Sequence, residues 1–172
     1  MEALKRVSPE KVGIHSQCIV DFIRQVRAEG IELHSLMILR HGKVCEEAWW
    51  KPYDSGTPQT MFSFSKSITS TAVGFAVQEG LLSLDEKLVD LFPNETPENP
   101  SENVKAADVY SLLTMSCGQD SDIYYKLKSY DHWIYDFMHA EFKYKPGTMF
   151  QYNSTGTDML CAIIKKKTGL NV

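Results

Sequence analysis

The sequence predicts an α+β fold in which one β-hairpin is followed by a run of helices. Three observations predict it: an amphipathic helical pattern near the N-terminus, two short apolar runs around a glycine turn, and then a series of helical stretches. The 172 residues fit one domain, 1–172, with a helix and hairpin over 1–60 and the helical remainder over 61–172. Hydrophobic residues make up 43% and charged residues 23%, which suits a chain with a buried core and argues against disorder. A net charge of −4 gives no field to attract phosphate backbones or anionic lipid, so nucleic acid is not an expected partner. No run of about 18 apolar residues occurs, so no membrane-spanning helix is expected. Cys18, Cys45, Cys117 and Cys161 form no C-x-x-C pair and read as reduced thiols rather than a metal or redox site. The first residues, from Met1 and Glu2 onward, show no apolar leader, which makes the cytoplasm the expected location.

Each element follows from local pattern. Over residues 16–29, Cys18, Ile19, Phe22, Ile23 and Val26 recur at helical spacing, and Gly30 stands where a helix stops. Residues 36–39 and 44–50 read as two strands joined by a tight turn containing Gly42. Pro52, Gly56 and Pro58 then make a loop. Residues 67–78 carry no charge, and a helix that is apolar or small all round is expected to be buried on every side. Ser83 and Glu86 match a capping box, after which Leu84, Leu88 and Leu91 form one helical face until Pro93. Residues 94–103 read as a surface loop, and 106–115 as a helix closed by Gly118. Trp133, Ile134, Phe137 and Met138 share one stripe of a further helix that Asp131 could cap. Lys145-Pro146-Gly147-Thr148 is a turn. The last helix spans 155–167, with Met159, Leu160, Ile163 and Ile164 inside, three lysines at its C-terminal end and Gly169 as its stop.

The sharpest chemical feature is Ser63-Phe64-Ser65-Lys66, where the polar loop gives way to the charge-free helix. An S-x-x-K spacing sets hydroxyl and amine one turn apart on one helix face. Burial of that helix would disfavour the ammonium and lower the lysine pKa, so that Lys66 could take the Ser63 proton. A second copy, Ser8-Pro9-Glu10-Lys11, lies beside a proline in the N-terminal segment and serves as an internal control. The plain structural alternative makes Ser63 a helix cap and Lys66 a solvated first-turn residue. The second feature is Phe150-Gln151-Tyr152-Asn153-Ser154, between the turn and the last helix. Tyr152 there can present its phenol to a cleft, where a nearby ammonium would lower its pKa toward general-base use. Its plain alternative is a core tyrosine bonded to some backbone acceptor. The five histidines form no H-x-x-x-H pair, and no G-x-S-x-G, G-x-G-x-x-G or G-x-x-x-x-G-K-[ST] element occurs, so no metal or cofactor is expected. Trp49-Trp50-Lys51-Pro52-Tyr53 either lines a pocket or packs a strand end on a helix, with packing preferred.

Taken in order, Ser63-Phe64-Ser65-Lys66, Leu112-Leu113-Thr114-Met115-Ser116-Cys117-Gly118 and Pro146-Gly147-Thr148-Met149-Phe150-Gln151-Tyr152-Asn153-Ser154 resemble the class C β-lactamase-related serine hydrolases. That superfamily also holds D-alanyl-D-alanine carboxypeptidases, esterases and 6-aminohexanoate-dimer hydrolases. The similarity covers nearly the whole chain. It implies a β-lactamase/transpeptidase-like architecture: an antiparallel sheet flanked by helices, a mainly helical lobe, and an active serine in the cleft between them. By position it implies Ser63 as nucleophile, Lys66 as the helix lysine, Tyr152 as the tyrosine base, and Asn153 and Ser154 as substrate-binding positions. The implied partner is a small-molecule amide or ester (a β-lactam, a D-Ala peptide or a small ester), cleaved through an acyl-serine with the Ser63 N–H as half of an oxyanion hole. Whether Lys66 or Tyr152 takes the serine proton stays open, because interacting groups share their protons.

Two departures from the family pattern stand out. Where the β-lactamases have Tyr-x-Asn, this chain has Ser154 in the third place. The family also continues into further sheet strands bearing a third motif of Lys or His, then Thr or Ser, then Gly. Lys167-Thr168-Gly169 spells that motif, but lysines and a glycine are expected at a helix C-terminus, so it is read as a helix end. The chain is therefore expected to be the N-terminal part of a longer enzyme, with the C-terminal strands missing. A hairpin alone is marginal in isolation. The alternative reading is a non-catalytic relative, a ligand-binding or sensor module with the same fold.

Overall fold

A computed structural model of the chain describes residues 3–127 and 130–172. Met1 and Glu2, on which part of the N-terminal reading falls, lie outside the described residues, as do residues 128–129. The chain divides into two compact units, Met1–Thr60 and Met61–Val172.

In the first unit a 3-10 turn, Pro9–Val12, leads into helix α1, Ser16–Ala28, which buries Ile19 and Val26 and leaves Cys18 and Phe22 exposed. Strands β1, Ser35–Arg40, and β2, Lys43–Trp49, form a two-stranded antiparallel sheet. His41 and Gly42 take φ of 52° and 68°, left-handed values whose twist suits a two-residue hairpin turn. Pairing steps from Ile38↔Glu46 to Leu39↔Val44, so Cys45 is an unpaired bulge residue, buried, with its thiol donating to the Ile38 carbonyl at 3.4 Å. Residues 5–7 run along β2, with Val44 N donating to Lys5 O and Val7 N to Val44 O, both at 2.9 Å. Of the aromatic stretch, Trp50 and Tyr53 face α1 across a cavity of about 240 Å³, and Tyr53 stacks on His34 with ring centroids 3.7 Å apart.

The second unit holds α2 (Ser65–Gln78), α3 (Leu88–Leu91), α4 (Glu102–Ala106), α5 (Val109–Leu113), α6 (Trp133–His139) and α7 (Ser154–Thr168). Helix α7 is central: α2, α5 and α6 all pack on it. Met159 and Ile163 of α7 meet Val73, Leu88, Val109, Phe137 and Met138 in one buried cluster. An apolar stripe on each helix turned toward a common partner is the usual origin of such a core.

Several sequence expectations are corrected. Helix α2 is not buried on every side: Thr69, Val73 and Ala76 face inward, whereas Ile68 is 57% and Phe75 61% exposed. A charge-free sequence leaves the rotation of a helix undecided, and packing on α7 selects the 69/73/76 face. Ser83 and Glu86 close a turn, with Ser83 N donating to Glu86 Oε1 at 2.9 Å, but the helix starts only at Leu88. Lys87 is drawn across to Asp108 at 2.8 Å and to the Ala106 carbonyl at 3.0 Å, which keeps it extended. The helix expected over 106–115 is shorter, α5 over Val109–Leu113, and a separate short helix, α4, starts at Glu102 inside the stretch expected to be a loop. Ser101 Oγ caps α4, and Asp108 with Ser111 forms a capping box on α5, so the chain restarts between them. At α6 the N-cap position belongs to His132 rather than Asp131.

Helix α7 ends at Thr168 with Gly169 at φ 76°. Lys167 is paired with Glu86 at 2.6 Å, so Lys167-Thr168-Gly169 is a helix terminus and not a sheet strand. Among the described residues no helix is long and apolar enough to cross a membrane.

Candidate active site

Ser63 lies on a 3-10 turn, Phe62–Phe64, that runs directly into α2. Phe62 before it has φ 44°, in the left-handed region that a bulky residue seldom occupies. Ser63 is exposed and Lys66 half-buried. Lys66 Nζ donates to Ser63 Oγ at 3.2 Å. Tyr152, 89 residues later, donates its hydroxyl to the same oxygen at 2.6 Å, and Lys66 Nζ stands 5.1 Å from the Tyr152 ring centroid. The hydrogen bond with Ser63, then the bond and charge of Lys66, hold the Tyr152 phenol below its ordinary pKa. The three candidate catalytic residues therefore meet at one oxygen. The outward face of α2 is open, so proximity rather than a buried helix is what ties Lys66 to Ser63.

Tyr152 is positioned from both sides. On its N-terminal side the Pro-Gly turn closes with Thr148 N donating to Lys145 O at 3.1 Å. The segment then runs beside residues 115–118: Tyr144 N donates to Gly118 O at 2.9 Å, Gly147 N to Ser116 O at 2.9 Å and Gln151 N to Met115 O at 2.8 Å. Two of the three sequence motifs are thus bonded to each other. Gly118 makes that approach possible: at φ 109° a side chain is strained, and a Cβ would fall inside the contact radius of the Tyr144 carbonyl oxygen. Gly118→Ala is expected to cost roughly 2–3 kcal/mol, from backbone strain plus the clash, and to lower the chemical-denaturation midpoint. An unchanged midpoint would show that the two segments yield easily.

On the C-terminal side Asn153 caps α7, its Oδ1 accepting from Gly156 N at 2.7 Å and its Nδ2 donating to Gln119 Oε1 at 2.8 Å. It is 2% exposed. Ser154 N donates to Asp122 Oδ2 at 2.5 Å, while Thr155 N and Oγ1 donate to Asp122 Oδ1 at 3.3 and 2.6 Å. Burial works to raise the Asp122 pKa, but the bonds from Thr155, Tyr124 and Ser154 outweigh it and hold the carboxyl below its ordinary value. Sequence reasoning missed Gln119 and Asp122, because nothing in Gln-Asp-Ser-Asp announces a partner more than 30 residues away.

Two more groups border the site. Asp158 and Lys66 share a cavity of about 430 Å³ with Thr69 and Cys161; burial pushes the Asp158 carboxyl up against the opposing pull of Lys66. Burial likewise pushes the Cys117 thiol up, away from nucleophile use. Among the described residues no three His, Cys, Asp or Glu side chains gather in a way that could hold a metal ion.

The Beta-lactamase family model matches residues 19–171. A curated relative, the probable fimbrial assembly protein FimD of serogroup H1 from Dichelobacter nodosus, is 28% identical over 86% of this chain and 42% of its own length. The octameric penicillin-binding protein homologue from Pyrococcus abyssi is 28% identical, with a TM-score of 0.66 over 92% of this chain and 40% of that one. A β-lactamase/D-alanine carboxypeptidase from Pseudomonas syringae gives a TM-score of 0.71 at 22% identity, over 90% of this chain and 45% of that one. The chain spans under half the length of each of these three. The fold is β-lactamase/transpeptidase-like, and of its antiparallel sheet the described residues hold one hairpin. The ordered motifs, the meeting of the first and third at the Ser63 hydroxyl and the match over residues 19–171 agree: the chain belongs to the Beta-lactamase family.

Proposed function

We propose that this chain carries the nucleophile and base of a serine hydrolase that cleaves an amide or ester bond through an acyl-Ser63 intermediate. The observation that supports it is Ser63 Oγ, bonded at 3.2 Å to Lys66 Nζ and at 2.6 Å to Tyr152 Oη. A serine hydroxyl attacks a carbonyl when a neighbouring base removes its proton. In this scheme Tyr152, as phenolate, takes that proton, and the Lys66 ammonium stabilises the phenolate beforehand. The Oγ–C bond forms and the carbonyl π pair moves to oxygen. Collapse expels the amine or alcohol, which receives the proton from Tyr152, and water then repeats the sequence on the acyl ester. The substrate class is a small amide or ester, such as a β-lactam, a D-Ala peptide or a simple ester. Asn153 and Ser154 serve the reaction by holding the start of α7, since both Asn153 amide atoms are engaged inside the unit. The four free thiols fit a reducing compartment such as the cytoplasm.

A fluorophosphonate probe applied to the protein at its native length is expected to label wild type and Ser8→Ala equally, and Ser63→Ala not at all. Labelling of Ser63→Ala at the wild-type level would overturn the proposal. A ligand-binding or sensor module without turnover is the second reading, favoured by Ser154 in place of an amide. Saturable binding of a penicillin with no adduct at Ser63 selects it.

A further inference from the structure

Tyr152 has no regular secondary structure of its own; it is the second residue before α7 begins. Its place near Ser63 depends on what fixes the α7 N-terminus. Two residues of the segment that follows Gly118 do so. Gln119 is 2% exposed; it accepts from Asn153 Nδ2 and donates its own Nε2 to the Phe137 carbonyl at 3.2 Å. Asp122 gathers three donors from the first turn of α7, namely Ser154 N, Thr155 N and Thr155 Oγ1, and a fourth from Tyr124 N at 3.0 Å. A carboxylate at a helix N-terminus satisfies amides that the helix leaves unpaired, and its charge opposes the positive dipole end.

We propose that Asp122 is a positioning residue whose carboxylate fastens the first turn of α7 and so delivers the Tyr152 hydroxyl to Ser63. Its catalytic meaning rests on the acyl-transfer reading above; its geometry does not. The ionisable groups that feel the Asp122 charge are Tyr152, Tyr124, Asp158 and Cys117. Because its folded pKa lies below the ordinary carboxylate value, the clamp is fully present above that ordinary value and is released as pH falls through the lowered one. At neutral pH Asp122 is therefore a permanent fastening. Asparagine cannot reproduce it: one oxygen becomes an NH₂ that cannot accept from a backbone N–H.

Two consequences of removing the carboxylate have opposite signs at Tyr152. The Asp122 charge by itself opposes ionisation of the phenol, whereas the bonds to Ser63 and Lys66 favour it. If Asp122 acted only through its charge, Asp122→Asn would lower the Tyr152 ionisation midpoint. If it positions the ring, the variant loosens the Ser63 and Lys66 bonds and the midpoint rises toward the ordinary tyrosine value.

The midpoint is read by ultraviolet absorbance as the difference between each protein and its Tyr152→Phe partner, which cancels the other tyrosines. Circular dichroism confirms that each variant is folded. A rise is expected in Asp122→Asn and a smaller rise in Thr155→Val, which loses one hydroxyl and keeps the carboxylate. Labelling by fluorophosphonate is expected to slow about 10²-fold in Asp122→Asn, as for a reacting group displaced by about 1 Å. Should Asp122→Asn not fold, Thr155→Val decides alone. A midpoint unmoved or lowered in the folded variants overturns the proposal. If wild type takes no probe, the acyl-transfer reading fails and the absorbance result still judges the clamp.

Discussion

Lys66→Ala is expected to slow acylation of Ser63 by about 10³-fold, because the base, Tyr152, loses the ammonium that keeps it ionised, and general-base catalysis contributes about 10²–10⁴-fold. The amine is hydrogen-bonded to Ser63 Oγ, and it is one of the groups that hold the Tyr152 phenol below its ordinary pKa. Its loss therefore acts twice, on the serine directly and on the ionisation of its neighbour. The pH dependence separates the two. Phenolate accumulates as pH rises through the Tyr152 pKa, so the acylation rate climbs through that value. Without the ammonium the phenol pKa increases, and the climb shifts to higher pH. Fluorophosphonate labelling rates, measured from neutral to alkaline pH in wild type and Lys66→Ala, check both effects. A variant with the wild-type rate and an unshifted profile would mean that Lys66 is only a first-turn lysine.

Phe137→Ala carries the largest expected loss of stability, about 3–5 kcal/mol, the usual cost of truncating a fully buried aromatic ring. The ring is 0% exposed and meets Phe142 edge to face, with centroids 5.7 Å apart. Against a typical total of about 5–15 kcal/mol, that is a large share. The control is Phe75→Ala, 61% exposed on α2, for which a change of about 0.5 kcal/mol or less is expected. Urea unfolding compares them, with an unchanged slope indicating that only stability has moved. Similar losses for the two would mean that the second unit is not organised around its buried cluster.

The parts of this fold that were legible in the sequence are those with local causes. Gly42 in a two-residue turn, the Ile19/Val26 spacing of α1 and the Gly169 stop of α7 each encode their geometry within a few residues. The starts of α4 and α5 also have local causes in the Ser101 and Asp108 caps, but a polar, proline-bearing stretch before residue 103 reads as loop and hides the first of them. The delayed start of α3 was not local: it follows from Lys87 reaching Asp108 and Ala106, 19 to 21 residues on. The site divides in the same way. Ser63 and Lys66 were legible because one helical turn joins them. Tyr152 stood out by its place between a turn and the last helix, but its approach to Ser63 needs the α2–α7 packing. Asn153, expected among substrate contacts, caps α7, while Asp122 and Gln119 gave no sign until the fold brought them to that same turn.

The ion pair between Lys167 and Glu86 fixes more than the end of a helix. Thirteen residues separate Lys167 from Ser154, so a rise of 1.5 Å per residue sets this cation about 20 Å from the first turn of α7. At that separation, beyond the screening length of about 8 Å in physiological salt, its charge is largely screened from the first turn of α7. The two lysines at the ends of this arrangement are thus electrostatically independent: Lys66 is bonded to the Ser63 hydroxyl, and Lys167 answers only to Glu86.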